Sequence, residues 1–501
     1  MHMLGRDPRI MAACFRPTTE DLGGRVVRGA VWIAALVVLR MVLTIGSTAV
    51  LARLLVPADY GVIAMATVVT ELASMLCMFG IPMIITQLPR LTRLDLDSAF
   101  WFSAILGTFM AALIVATSPL AAELFKEPGL APVLCAMSLM VLLEEVSAVQ
   151  LSITNRLLLV RCEFVCQISS LIVRIGVSVA LAVAGLGVWS LVWGSVAGRA
   201  VYFALLWWFI PYVPRLRFNP RFLRRNWRVG GSYFDSAVLF FFGSNMDTAA
   251  VGRMFGVVQL GFYQTAFALP EELRSRIALA IQRVLFPAFA LLQSDHSAFR
   301  YGLLRSLRIL ATIIVPMGVG MAVLADPIVR VLYGDRWLPV VPLLQFAAIV
   351  GIVRALQSFL GNTYRAKGRP DLEFKIGMAL VPLLALAILI GSLWGIAGVA
   401  AGILVFSLVS LASTYFGLRL IQLGPLAVFQ SLLPASAAAA FMGACLHLLD
   451  TMDAIPGSTA LLELAASVAM GVLLFLLPLL LLSRKTLDDM GSVVRLLRTR
   501  Q

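Results

Sequence analysis

Charge is scarce in this chain of 501 residues: Asp, Glu, Lys and Arg together make up 13% of it, against 60% hydrophobic residues and a mean hydropathy of +0.95. Soluble domains are about half apolar and about a quarter charged, so a soluble globular fold is excluded. A spanning helix takes roughly 20 apolar residues. A chain this long with so little polar sequence therefore holds on the order of a dozen spans and no extramembrane domain of ordinary size.

Lysine is nearly missing, with only Lys126, Lys367, Lys375 and Lys485 present. None of them follows a glycine, which excludes a Walker A loop and a built-in ATPase. Histidine is as thin: His2, His296 and His447 lie far apart and none stands in H-E-x-x-H, so no metal site and no cofactor is expected. The six cysteines, Cys14, Cys77, Cys135, Cys162, Cys166 and Cys445, form no C-x-x-C pair and no disulfide framework, and most sit in apolar runs as packing residues. The chain thus lacks the usual signatures of covalent or metal-dependent catalysis, and an enzyme is not expected.

What is present is arginine. The 40 basic residues outnumber the 26 acidic ones for a net charge of +14, which in a membrane protein reads as topology and attraction to an anionic inner leaflet. Nucleic acid is not expected as a partner. Apolar stretches long enough to span number fourteen between residues 29 and 483, the seventh at 229–253 and the eighth at 259–287. The first follows a polar, arginine-bearing stretch and precedes no small-residue cleavage pattern, so it reads as a permanent helix. With residue 1 in the cytoplasm, only Arg53, Lys126, Arg253, Arg330 and Arg336 fall in outward connections. Both termini are then expected in the cytoplasm by the positive-inside rule.

Two lobes are legible as repeats. LARLLVPADYG (Leu51–Gly61) matches VGRMFGVVQLG (Val251–Gly261) at a shift of 200, which pairs Arg53 with Arg253 and Gly61 with Gly261. LFKEP (Leu124–Pro128) matches LYGDR (Leu332–Arg336), and GVWSLVWG (Gly187–Gly194) matches GIAGVAAG (Gly395–Gly402), both at a shift of 208. Six spans per repeat give both lobes the same orientation, related by a pseudo-two-fold along the membrane normal, and a cavity between rocking lobes is the expected consequence. The expected fold is an all-α polytopic membrane protein of about 14 helices. Its parts are a cytoplasmic segment 1–27, an N-lobe 28–210, a basic linker 211–228, a C-lobe 229–420, two further spans in 421–483, and a cytoplasmic tail 484–501. The linker region Pro211–Gly230, PYVPRLRFNPRFLRRNWRVG, carries six arginines among Phe, Leu and Trp. It reads either as an interfacial segment on the inner leaflet or as a solvated loop.

A charge at the centre of a spanning helix costs roughly 2.5–3.5 kcal/mol on insertion scales, so it faces protein or a water-filled cavity. Arg40, Arg174, Arg199 and Arg354 are such charges, with Glu71, Glu144, Glu145, Asp235 and Asp247 as possible pairing partners. The eighth span is the most unusual: LPEELRSRIALA (Leu269–Ala280) sets Glu271, Glu272, Arg274 and Arg276 halfway across, and Glu271 falls on Glu71 at the shift of 200. Glu271 and Arg274, three apart, share a face. Either that face lines the cavity, or the helix is misplaced and these residues lie in a loop. Arg40 and Arg354 suit either an anion-binding lining or interhelix salt bridges, whereas Arg174 and Arg199 suit the latter. Arginine suits phosphate because its planar fork donates two parallel hydrogen bonds. The expected ligand is therefore a phosphate, a pyrophosphate or an acidic sugar. Gly46, Gly194, Gly198, Gly398 and Gly402 are expected to be close-packing positions.

LARLLVPADYGVIAMATVV (Leu51–Val69), NMDTAAVGRMFGVVQLGFYQTAFAL (Asn245–Leu269), VLFPAFALLQSD (Val284–Asp295) and VLYGDRW (Val331–Trp337) resemble the polysaccharide transporter family. Its members are the lipopolysaccharide and exopolysaccharide flippases of the multidrug/oligosaccharidyl-lipid/polysaccharide exporter superfamily. The resemblance runs from about residue 25 to 485. It implies two six-helix bundles in a V. It also implies a polyprenyl-diphosphate-linked oligosaccharide carried across the inner membrane, usually against an ion such as H+ or Na+, with glycosyltransferase and polymerase partners. Asp247 matches the acidic residue of the family's seventh-helix motif, with Ser47 in its place in the first lobe. With the charges inside the spans read as above, Arg40, Arg274, Arg276 and Arg354 are the expected substrate-binding residues, and Glu71, Asp247 and Glu271 the expected ion-coupling or charge-pairing ones. The alternatives are a cation-coupled multidrug exporter of the same superfamily and a membrane polysaccharide polymerase or ligase.

Overall fold

The computed structural model describes residues 22–77, 80–88, 91–291, 296–367, 369–452 and 460–482. The cytoplasmic segment 1–27 up to residue 21, the tail 484–501, the end of the Val284–Asp295 motif and the side chain of Asp235 lie outside that set. All regular structure described is helical. In chain order the helices are α1 (Leu22–Leu54), α2 (Pro57–Cys77), α3 (Ile81–Gln87), α4 (Arg93–Phe125), α5 (Leu130–Arg156), α6 (Val160–Val183), α7 (Val188–Phe209) and α8 (Pro220–Leu291). There follow α9 (His296–Val323), α10 (Ala325–Leu332), α11 (Val340–Ala366), α12 (Pro370–Ser392), α13 (Gly395–Ala412), α14 (Thr414–Leu420), α15 (Pro425–Thr451) and α16 (Ala460–Leu482).

Local chemistry sets several of these boundaries. Thr92 and Asp95 form a capping box that opens α4: Thr92 Oγ1 accepts from the Asp95 N–H at 3.2 Å, and Asp95 Oδ2 accepts from the Thr92 N–H at 2.9 Å. Proline at the first position opens α8, α12 and α15, where its missing N–H costs no intrahelical bond. The short α3 ends against Arg156 at the end of α5, whose Nη1 donates to the carbonyls of Ile85 and Leu88 at 2.8 and 2.7 Å. A guanidinium there meets carbonyls that a helix leaves unpaired at its C-terminus.

Twelve helices among the described residues are long and apolar enough to cross a membrane. The two further stretches expected, 229–253 and 259–287, both fall within α8. This 72-residue helical run is broken at Gly256, which adopts φ 80° and ψ 180°, open to glycine and not to other residues. At 1.5 Å per residue each part exceeds the roughly 30 Å of a hydrocarbon core. Asn245, Asp247 and Arg253 on one side of the break, and Glu271, Glu272, Arg274 and Arg276 on the other, dilute their apolarity.

The chain divides into two compact units, residues 1–261 and 262–501. In the first, α6 packs on α7 and α1, and α4 on α5, around a core of Ile81, Ile85, Leu96, Phe100, Val149, Ile153, Ile210 and Tyr212. The linker is sewn onto this core. Buried Asp97 accepts from the Tyr212 hydroxyl at 2.6 Å and from the Arg215 N–H at 3.2 Å, and the Asn219 N–H donates to Ser98 Oγ at 2.9 Å. Burial and the hydrogen bond to Asp97 push the Tyr212 phenol well above its ordinary pKa, so it stays a donor. The second unit centres on Phe299, Leu303, Leu307, Leu310, Phe359 and Leu360, with α9 packed on α15 and α11, and α12 on α13.

The glycine matches have structural content. A Cβ on Gly61 would collide with the Val257 backbone carbonyl, and one on Gly261 with the Pro57 carbonyl. Pro57 and Val257 are themselves partners at the shift of 200, so this contact between α2 and α8 is reciprocal. Gly194 and Gly198 abut Ser178, Ser170 and Arg174 of α6, while Gly398 and Gly402 abut Gly391 and Ala387 of α12. Gly46 departs from expectation: nothing lies within 4 Å of a Cβ there, so it is not a close-packing position.

Candidate functional site

The charged positions inside spans fall into two sets, one in each unit. In the first unit, Asn245 of α8, itself buried, donates from Nδ2 to Glu71 Oε2 of α2 at 3.0 Å. Two residues further on, Asp247 is buried, with Oδ1 accepting from the Thr248 N–H at 2.8 Å. One turn along α2 from Glu71, Ser74 Oγ donates to Glu144 Oε2 of α5 at 3.4 Å, and the same oxygen lies 3.7 Å from Arg199 Nη2 of α7. Three helices therefore meet on one carboxylate. The neighbouring Glu145 is 9% exposed, with its side chain laid against Gly107 of α4, and its carboxyl meets no hydrogen-bond or ion-pair partner among the described residues. Arg40 of α1 donates from Nη1 to Gln167 Oε1 of α6 at 3.2 Å, and Gln167 Nε2 donates to Glu163 at 2.9 Å. A neutral amide thus relays between that arginine and a carboxylate.

In the second unit the charges pair along one helix. Arg274 donates from Nε to Glu271 Oε2 at 2.8 Å and from Nη2 to Glu271 Oε1, a two-pronged contact three residues apart. Arg276 Nε donates to Glu272 Oε1 at 2.9 Å, four residues apart. Pairs at these spacings are neighbours on a helix surface and need no second helix to hold them. Their side chains stay partly open, Glu271 at 47% and Arg274 at 20%. Just before them, Pro270 lies 3.5 Å from where a Gly351 Cβ of α11 would stand. Arg354, one turn beyond Gly351, is half-buried and finds no hydrogen-bond or ion-pair partner among the described residues.

Within the first unit, Glu71 thus accepts from Asn245, two residues before Asp247, while Arg40 bonds to Gln167 on α6. Within the second, Glu271 and Arg274 are joined directly, Arg276 belongs to Glu272, and Arg354 stands on the helix that Pro270 touches. Sequence reasoning missed the neutral partners Gln167, Ser74 and Asn245. Their signal was present as amides and hydroxyls placed within apolar spans, where an unpaired polar group is costly. No group of His, Cys, Asp and Glu able to hold a metal ion occurs among the described residues.

A family model described as polysaccharide biosynthesis protein matches residues 50–342. The lipopolysaccharide biosynthesis protein WzxC of Escherichia coli (strain K12) is 27% identical over 406 residues, covering 79% of this chain and 81% of that protein. The succinoglycan biosynthesis transport protein ExoT of Rhizobium meliloti (strain 1021) is 26% identical over 313 residues, covering 62% and 63% respectively. Among solved structures, the lipid II flippase MurJ in an inward closed conformation matches with a TM-score of 0.73 at 17% identity, over 89% of this chain and 98% of that one, a likeness of fold.

Proposed function

The chain belongs to the polysaccharide biosynthesis protein family, and from that premise we propose that it is a flippase for polyprenyl-diphosphate-linked oligosaccharide units. It moves them by alternating access from the cytoplasmic to the periplasmic leaflet of the bacterial inner membrane, with both termini in the cytoplasm. The observation that carries this reading is the charged middle of α8 in a chain of that family and of a flippase-like fold.

The proposed chemistry follows from the geometry of that middle. Two donors of Arg274 are occupied by Glu271. When Glu271 takes up a proton, its carboxyl loses the charge that holds the fork, and the cargo diphosphate replaces it as a bidentate acceptor. Arg276 and Glu272 repeat the arrangement, and Arg354 adds positive charge without an acid to displace. When the diphosphate leaves, Glu271 loses its proton and recaptures Arg274, so at this guanidinium proton and cargo are taken up and released together, and the ion moved in the opposite direction is carried elsewhere. Glu71 and Asp247 are the further carboxylates that hold H+ or Na+, and Arg40 serves the cargo's acidic groups. Glycosyltransferases that build the unit and a polymerase that consumes it are the partners this reading calls for.

Deleting the gene and extracting total lipid tests the proposal. A polyprenyl-diphosphate oligosaccharide that accumulates out of reach of the periplasm, together with lost surface polysaccharide, is the expected outcome. Unchanged lipid and polysaccharide, with altered resistance to cationic dyes, would replace the reading with drug export.

A further inference from the structure

The linker between α7 and α8 is a basic segment whose backbone is held by hydrogen bonds while Arg215 and Arg217 stand exposed. Asp97, 1% exposed, spends its carboxylate on the Tyr212 hydroxyl and the Arg215 N–H and, among the described residues, on none of the arginine side chains. Trp101 Nε1 donates to the Arg215 carbonyl at 2.8 Å, and Arg93 Nη2 to the Val213 carbonyl at 3.4 Å. Backbone donors and acceptors on both sides of Arg215 are thus occupied from α4, and residues 213–218 form a held strap.

Its outer surface combines charge with apolar tips. Arg215 and Arg217 are exposed, with Leu216 between them at 88% exposure and Val213 and Phe218 beside them at 67% and 49%. The first turns of α8 continue the pattern. Phe222 and Asn226 are buried into the core, which leaves Arg221, Arg224 and Arg225, at spacings of three and four, exposed on the opposite face. No acidic residue occurs in 211–230. Leu216 and Phe218 would be poorly placed in water, and five guanidiniums this close would repel one another without anions between them. A bilayer surface answers both needs, since phosphates accept the forks and the apolar tips enter the acyl boundary.

We propose that residues 213–225 are a docking surface for the headgroups of anionic phospholipids, with Asp97, Ser98 and Tyr212 as the residues that hold it in shape. This stands apart from the cargo reading, because none of its residues belongs to the proposed transport site.

The test uses the full-length protein reconstituted in phosphatidylcholine bilayers, with spin-labelled phosphatidylglycerol and spin-labelled phosphatidylcholine as probes. The wild type is expected to select phosphatidylglycerol, and the selection to weaken with salt. A variant with Arg215, Arg217, Arg221, Arg224 and Arg225 all replaced by Gln should unfold at the wild-type temperature and lose roughly fivefold or more of that selectivity. Tyr212→Phe, which loosens the strap and keeps every arginine, should lose a smaller part. Equal association of the two lipids with the wild type would overturn the proposal. So would undiminished selectivity in the five-Gln variant, and if that variant also lost surface polysaccharide, the strap would be a contact for protein or cargo instead.

Discussion

The two units handle the charges within their helices in different ways. In the first, Arg199 of α7 meets Glu144 of α5, Arg40 of α1 meets Gln167 of α6, and Glu71 of α2 meets Asn245 of α8. Each contact joins two helices, so losing it changes how those helices are held. In the second, Arg274 and Arg276 are held by glutamates of their own helix. Those pairs can open and re-form while every helix stays in place. The difference teaches where to look for exchangeable charge: a guanidinium ion-paired to a carboxylate of another helix, as Arg199 is, is poorly suited to release its partner each cycle, and one paired three residues away is well suited.

The sharpest way to break the comparison lies outside the charges, at the reciprocal glycine contact. Gly61→Leu, or Gly261→Leu, forces a side chain into a backbone carbonyl that cannot rotate aside. Such overpacking should cost about 3 kcal/mol or more, read as loss of folded protein from the membrane fraction. Next comes Arg199→Ala, which strips Glu144 of its cation. It should cost about 1–2 kcal/mol, the range of strong polar contacts between spanning helices, seen as a lowered unfolding temperature in detergent. Tyr212→Phe removes one hydrogen bond to the buried Asp97 and should cost about 1–2 kcal/mol in the same assay. Glu271→Gln should leave stability within about 0.5 kcal/mol while lowering the rate of transport, measured as surface polysaccharide per molecule of protein, because it removes the charge that holds the Arg274 fork. The smallest effect is expected at Gly46→Ala, where open space surrounds the new methyl group.

Much of this was legible in the sequence. The apolar runs marked twelve of the spans, and the 200-residue shift paired Gly61 with Gly261 before any contact was visible. The charges of 271–276 stood out because four of them interrupt an otherwise apolar segment. Other features left no such trace. Arg156 serves backbone carbonyls of α3, and every residue has a carbonyl, so no partner type betrays the contact. Asp97 looks like one more acid in the first turns of α4, because its partners, Tyr212 and the Arg215 N–H, come from a linker more than a hundred residues on. Gly46 shows the opposite failure: a glycine in a span suggests close approach, but composition alone does not say what lies opposite it.

The central claim is that Arg274, paired within its own helix, exchanges its partner in transport, whereas the ion pair between helices, Arg199 with Glu144, serves the fold. Its most direct test compares Arg274→Ala with Arg199→Ala, measuring surface polysaccharide per molecule of folded protein in the membrane. Arg274→Ala should abolish polysaccharide with protein at the wild-type level, and Arg199→Ala should lower polysaccharide only in proportion to the protein lost. Normal polysaccharide in the Arg274→Ala strain, or its loss alongside the protein, would contradict the account.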